Sequence, residues 1–86
     1  MIFPICWEMS LDPGLAFGRV LRAVRKETGL TQEQLALAAG LDRTFVSMVE
    51  RGVNQPTIRT IFRFASVLGV TPSRLVELTE AQTLLP

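Results

Sequence analysis

The stretch Leu30-Thr31-Gln32-Glu33-Gln34-Leu35-Ala36-Leu37-Ala38-Ala39-Gly40-Leu41-Asp42-Arg43-Thr44-Phe45-Val46-Ser47-Met48-Val49-Glu50-Arg51-Gly52 divides into two short helical runs on either side of a glycine. Thr31 is a good N-cap, and Gln34 three residues later completes a capping box, in which side chain and backbone satisfy each other's orphan groups. This predicts a helix over about 32–39. Gly40 stops it, because a sharp turn calls for positive φ and glycine reaches that region without steric cost. Asp42 is expected to cap a second helix over about 43–51, which Gly52 ends. Ala36 falls where the two helices should cross, and a larger side chain there would drive them apart. Leu35, Ala39, Leu41, Val46 and Val49 supply the apolar contacts that set the angle between them.

Helical periodicity continues outward in both directions. Phe17, Val20, Leu21 and Val24 recur at i, i+3, i+4 and i+7, one face of an amphipathic helix, and Gly29 fits the position that terminates it. After a loop at Val53–Pro56, Thr57 caps a helix over about 58–68, with Ile58, Ile61, Phe62, Ala65 and Leu68 as its expected buried face and Gly69 as its stop. Thr71 followed by Pro72 at the first helical position opens a last helix over about 72–80. No stretch alternates apolar and polar residues long enough to be a strand. The expected fold is all-α, a compact five-helix bundle. The expected division is a leader 1–14, a domain 15–80 and a tail 81–86.

Composition narrows the function. The chain has 86 residues, 48% of them hydrophobic, enough for one small folded domain. It contains no histidine and one cysteine, Cys6. That removes most zinc sites, every His-dependent triad and any intrachain disulfide. No nucleophile–base pair, carboxylate dyad or phosphate-cradling glycine loop can be assembled, so an enzyme is not expected. No metal and no cofactor are expected either. The longest apolar run is too short to span a membrane, and the apolar Met1–Trp7 lacks the basic flank of a signal peptide. A secreted chain this small would usually carry disulfides, which favours a cytoplasmic location.

The formal charge of +1 conceals an uneven distribution. Residues 1–14 carry Glu8 and Asp12 and no base, and residues 77–86 carry Glu77 and Glu80 and no base. All nine bases lie in residues 15–76 against Glu27, Glu33, Asp42 and Glu50, and eight of them are Arg. A basic middle between acidic ends is the footprint of polyanion binding, or of an ordinary solvated surface. The helix after Asp42 weighs toward the former. Val46 and Val49 point inward, with Phe45 at the edge, while Thr44, Ser47, Met48 and Arg51 are spaced i, i+3, i+4 and i+7 on the other side, with Arg43 beside them. That face offers guanidinium forks, hydroxyls and a thioether. An α-helix fits the major groove, where Arg reads guanine and a Thr methyl meets thymine's methyl. Arg43, Thr44, Ser47 and Met48 are therefore the candidate base contacts.

The helix pair is a helix-turn-helix pattern. The segments Leu30–Ala36, Ala39–Leu41 and Val46–Gly52, followed by Asn54-Gln55-Pro56-Thr57 and Ala65-Ser66-Val67-Leu68-Gly69-Val70, resemble the Cro/phage-repressor type helix-turn-helix family over roughly residues 17–78. The resemblance implies a lambda repressor-like DNA-binding fold and a transcriptional regulator of double-stranded DNA. It also implies roles residue by residue. Gln32 corresponds to a phosphate-binding glutamine, aided by the free N–H groups of its helix N-terminus. Arg51, Asn54 and Gln55 fall where relatives touch the sugar–phosphate backbone, and Arg59 is a further candidate. Arg25 and Glu50 match a pair that bridges the first and third helices. The stretch Leu41–Ser47, with Phe45, is similar to restriction–modification controller proteins; a phage repressor or an antitoxin are the other subtypes.

One such unit neutralises only about three to five phosphates, too few for tight binding at cytoplasmic salt. A homodimer on a palindromic operator is expected, its two recognition helices in successive major grooves about 34–36 Å apart. Leu75, Val76, Leu78, Leu84 and Leu85 are the candidate dimer residues, and the apolar leader residues Ile2, Phe3, Ile5 and Trp7 stand unassigned. No small-molecule ligand is expected. The alternative function is a protein-interaction module on the same fold, antitoxin-like, whose third helix meets another protein.

Overall fold

The computed structural model describes residues 11–84, so the apolar leader residues and Leu85 lie outside the described residues. Five α-helices follow one another: α1 Pro13–Glu27, α2 Gln32–Ala39, α3 Arg43–Glu50, α4 Ile58–Leu68 and α5 Pro72–Thr83. No strand occurs among the described residues. α1 already begins at Pro13, inside the expected leader, because Asp12 caps it, its carboxylate accepting from the N–H of Gly14 at 3.0 Å and of Leu15 at 3.2 Å. α5 runs to Thr83, past the expected end near 80. The Thr83 hydroxyl donates to the Glu80 carbonyl at 2.6 Å within that last turn.

The turn chemistry of the central pair is realised at α2. Thr31 Oγ1 accepts from Gln34 N at 3.1 Å while Gln34 Oε1 accepts from Thr31 N at 2.9 Å, and Gly40 sits at φ 70°. α3 differs. Asp42 occupies the N-cap position, but its side chain makes no capping hydrogen bond, and the helix ends at Glu50 instead of Arg51. What holds α3 is burial: Val46 and Val49 are fully buried between the other helices.

The core joins Phe17, Leu21, Leu35, Val46, Val49, Phe64 and Leu75. Phe17 and Phe64 bring their rings to 6.4 Å between centroids, tilted at 34°, so α1 and α4 meet through aromatic surface. The inward face of α4 is shifted from the one expected: Ile61, Ala65 and Leu68 pack inward as read, but Phe64 takes the place of Ile58 and Phe62. Phe64 is fully buried, whereas Ile58 is 69% and Phe62 58% exposed. The helix carries two overlapping apolar stripes, and the one through Ile61, Phe64, Ala65 and Leu68 meets the core. Leu75, expected at a dimer surface, is also corrected: it is fully buried within the chain's own core and has no surface to offer a partner. Leu78 packs half-buried against the same core.

α1 and α3 approach so closely at Gly18 that a Cβ there would overlap the carbonyl oxygens of Val49 and Glu50. That contact fixes where the C-terminus of α3 lies, and therefore how its outer face is presented.

Candidate nucleic-acid interface

The outer face of α3 divides into a free end and a tied end. Arg43 and Thr44, in the first turn, are exposed, and among the described residues neither makes a side-chain hydrogen bond or ion pair. Toward the other end Ser47 is half-buried and accepts from Arg51 Nε at 3.3 Å. Met48 is half-buried as well, and its sulfur accepts from Asn54 Nδ2 at 3.7 Å. The Met48 carbonyl also accepts from the backbone N–H of Val53 at 2.9 Å and of Asn54 at 3.2 Å, which wraps the following loop onto the helix end. Phe45 packs at the edge of the core.

Beneath this face lies a buried polar clamp. Arg25 Nε donates to Glu50 Oε2 at 2.6 Å and Arg25 Nη2 to Glu50 Oε1 at 3.1 Å. Two donors in one plane make this the bidentate geometry that a guanidinium fork favours. Arg25 Nη1 also reaches the Leu30 carbonyl at 2.8 Å. The same clamp takes in Gln32, whose Nε2 donates to Glu50 Oε1 at 2.9 Å. The end of α1, the start of α2 and the end of α3 are thus tied at one point. Gln32, read from the sequence as a phosphate contact, is half-buried and has one amide N–H committed to Glu50, leaving a second N–H and the carbonyl oxygen.

The remaining candidates are distributed around the loop after α3. Arg51 and Arg59 are exposed and Asn54 is half-buried on Met48. Gln55 is exposed but lies over the first turn of α1, where a Cβ on Gly14 would overlap its amide. Arg74, by contrast, is engaged elsewhere, at 2.9 Å from Glu77 on α5. No group of His, Cys, Asp or Glu among the described residues is placed to hold a metal ion. The links from Gln32 to Glu50 and from Asn54 to Met48 are invisible in the sequence, since each joins residues on different turns of the chain with no periodic signature.

A family model described as helix-turn-helix matches residues 21–75, from the middle of α1 into α5. The chain belongs to the helix-turn-helix family. The uncharacterized HTH-type transcriptional regulator y4dJ of Sinorhizobium fredii is 39% identical over 70 residues, covering 81% of this helix-turn-helix chain and 91% of that protein. The crystal structure of the restriction–modification controller protein C.AhdI from Aeromonas hydrophila superposes with a TM-score of 0.69 at 41% identity, over 71% of this chain and 92% of the other. The controller protein C.Esp1396I, solved as a tetramer with its natural 35 base-pair operator, gives a TM-score of 0.78 at 29% identity, over 88% of this chain and 100% of the other. Helix-turn-helix relatives of this kind are DNA-binding transcription regulators, repressors and controller proteins. The expected family, fold and regulatory class hold. Among the described residues no helix is long and apolar enough to cross a membrane.

Proposed function

We propose that this chain is a sequence-specific regulator of transcription that binds double-stranded DNA as a homodimer, with α3 of each protomer in the major groove of a palindromic operator. The carrying observation is the first turn of α3, exposed and without a side-chain partner among the described residues. There Arg43 offers five donors in a planar fork, which matches guanine O6 and N7, and Thr44 offers a hydroxyl and a methyl. Ser47 and Met48 extend the reading surface. Gln32, at the start of α2, has an N–H left for a phosphate, and the exposed Arg51 and Arg59 add positive charge along the backbone path. Asn54 and Gln55 border the same loop.

Dimerisation is supported by apolar surface that the bundle itself leaves open. Ile58 and Phe62 on α4, Val76 on α5 and Leu84 after it are exposed, and Ile58 and Val76 line one shallow groove with Pro13 and Pro56. These replace Leu75 as the proposed contact. Likeness to C.AhdI favours a restriction–modification controller over the other subtypes.

A fluorescence anisotropy titration against duplex from upstream of the chain's own gene tests the reading, at about 50 mM and about 200 mM salt. Binding is expected to be tight and to weaken by orders of magnitude between the two. Salt-independent or undetectable binding overturns it. That result favours a second reading, a protein-interaction module, for which the exposed Leu37 on α2 and Val53 after α3 supply apolar surface.

A further inference from the structure

Ser47 and Met48 both have their one polar side-chain atom engaged, but the Ser47 hydroxyl keeps an O–H to donate, whereas the Met48 thioether has no donor. Sδ accepts from Asn54 Nδ2 at 3.7 Å, and the backbone of the same loop is bonded to the Met48 carbonyl. A thioether is a weak acceptor, so this bond contributes little stability. Its effect is to restrain a side chain with three rotatable bonds that would otherwise sample many shapes. What Met48 then has to present is methylene and methyl surface. Thr44, exposed one turn earlier, is its i,i+4 neighbour, with Cβ atoms about 5–6 Å apart, and carries a methyl of its own.

Base edges in the major groove are mostly polar donors and acceptors; cytosine adds only a small C5–H, and the C5-methyl of thymine is the one full apolar group. An apolar side chain set against a donor or acceptor leaves it dehydrated and unpaired, and against cytosine C5–H it meets no methyl to bury. We propose that Met48, with the Thr44 methyl beside it, forms a seat for a thymine C5-methyl group and thereby determines specificity for a T·A pair in each half-site. The inference rests on the docking of α3 in the major groove and adds to it which base group this part of the helix selects.

Replacing thymine by uracil deletes that methyl and leaves the base's pairing and polar edge intact, which makes it the clean probe. The full chain selects a duplex from a random-sequence pool, and each thymine of that duplex is replaced singly by uracil. At one position per half-site uracil is expected to weaken binding about fourfold, the worth of one buried methyl-sized group. Met48→Ala is expected to bind the thymine and uracil duplexes equally, and Thr44→Ser, which keeps the hydroxyl and deletes the methyl, to narrow the ratio. Met48→Gln, of similar length and with a polar end, gives the same loss of discrimination if Met48→Ala proves poorly folded by circular dichroism. A wild-type chain indifferent to every uracil, or a discrimination that survives in the Met48 variants, overturns the seat while leaving DNA binding intact. Failure to select any duplex overturns the DNA reading itself, and the seat with it.

Discussion

Glu50 holds a carboxylate in a place where its side chain is only 2% exposed, so its charge must be answered within the protein. Arg25 answers it twice and Gln32 once. Glu50→Ala leaves the Arg25 guanidinium buried without its partner and should cost roughly 3–5 kcal/mol in urea denaturation. Replacing both members together, Arg25→Met with Glu50→Met, should cost less than Glu50→Ala alone, since no buried charge is then stranded. The pair was legible only through family resemblance: residues 25 apart on different helices share no periodicity. Gln32 reads from the sequence as a candidate phosphate contact and gives no sign there of its place in the clamp, because nothing in a lone glutamine says which of its two ends faces inward. The clamp bond and the proposed phosphate contact are separable by measurement. Gln32→Ala should weaken binding to all sequences alike in anisotropy titrations, and should also lower stability by about 1 kcal/mol through the lost hydrogen bond to Glu50.

Elements are where the sequence reads best, and the exceptions share a cause. Thr31, Gln34 and Gly40 act within a few residues of themselves, so the boundary between α2 and α3 follows from local chemistry. The inward face of α4 does not, since Ile58 and Phe62 compete with Ile61 and Phe64, and only the shape of the surrounding helices selects between them. Phe64→Ala should therefore cost about 3–5 kcal/mol, while Phe62→Ala should leave thermal stability nearly unchanged. Glycines on α1 separate in the same way. At Gly18 alanine gains about 1 kcal/mol of helix propensity. Its Cβ nevertheless meets the carbonyl oxygens of Val49 and Glu50, backbone atoms that yield only if α3 moves. Overpacking of about 1–3 kcal/mol or more exceeds that gain, so Gly18→Ala is destabilising and, by shifting α3, weakens DNA binding too. At Gly14 the atoms met belong to the end of the Gln55 side chain, which can rotate away, so Gly14→Ala should be tolerated in the same melts.

At the scale of the whole molecule, a near-neutral total charge and a basic middle lead to opposite expectations for salt dependence, and local charge at the interface decides between them. Each phosphate neutralised contributes about −0.9 to the slope of log affinity against log salt, so about three to five per protomer give a slope near −3 to −4.5, doubled for a dimer. Separating the protomers without unfolding them makes that doubling visible. Ile58 suits the purpose. It is 69% exposed and occupies the first position of α4, where a carboxylate is favoured by the helix dipole by about 0.3–1 kcal/mol. Ile58→Asp should therefore keep or slightly raise the stability of the monomer, yet place a charge on the apolar surface it shares with Val76. Sedimentation is expected to show a dimer for the wild type and a monomer for the variant. The variant's salt slope should fall to about half, with affinity for a two-half-site duplex reduced to that for a single half-site. An unchanged slope in a variant shown to be monomeric would mean that one protomer makes all the phosphate contacts, and the palindromic arrangement would have to be abandoned.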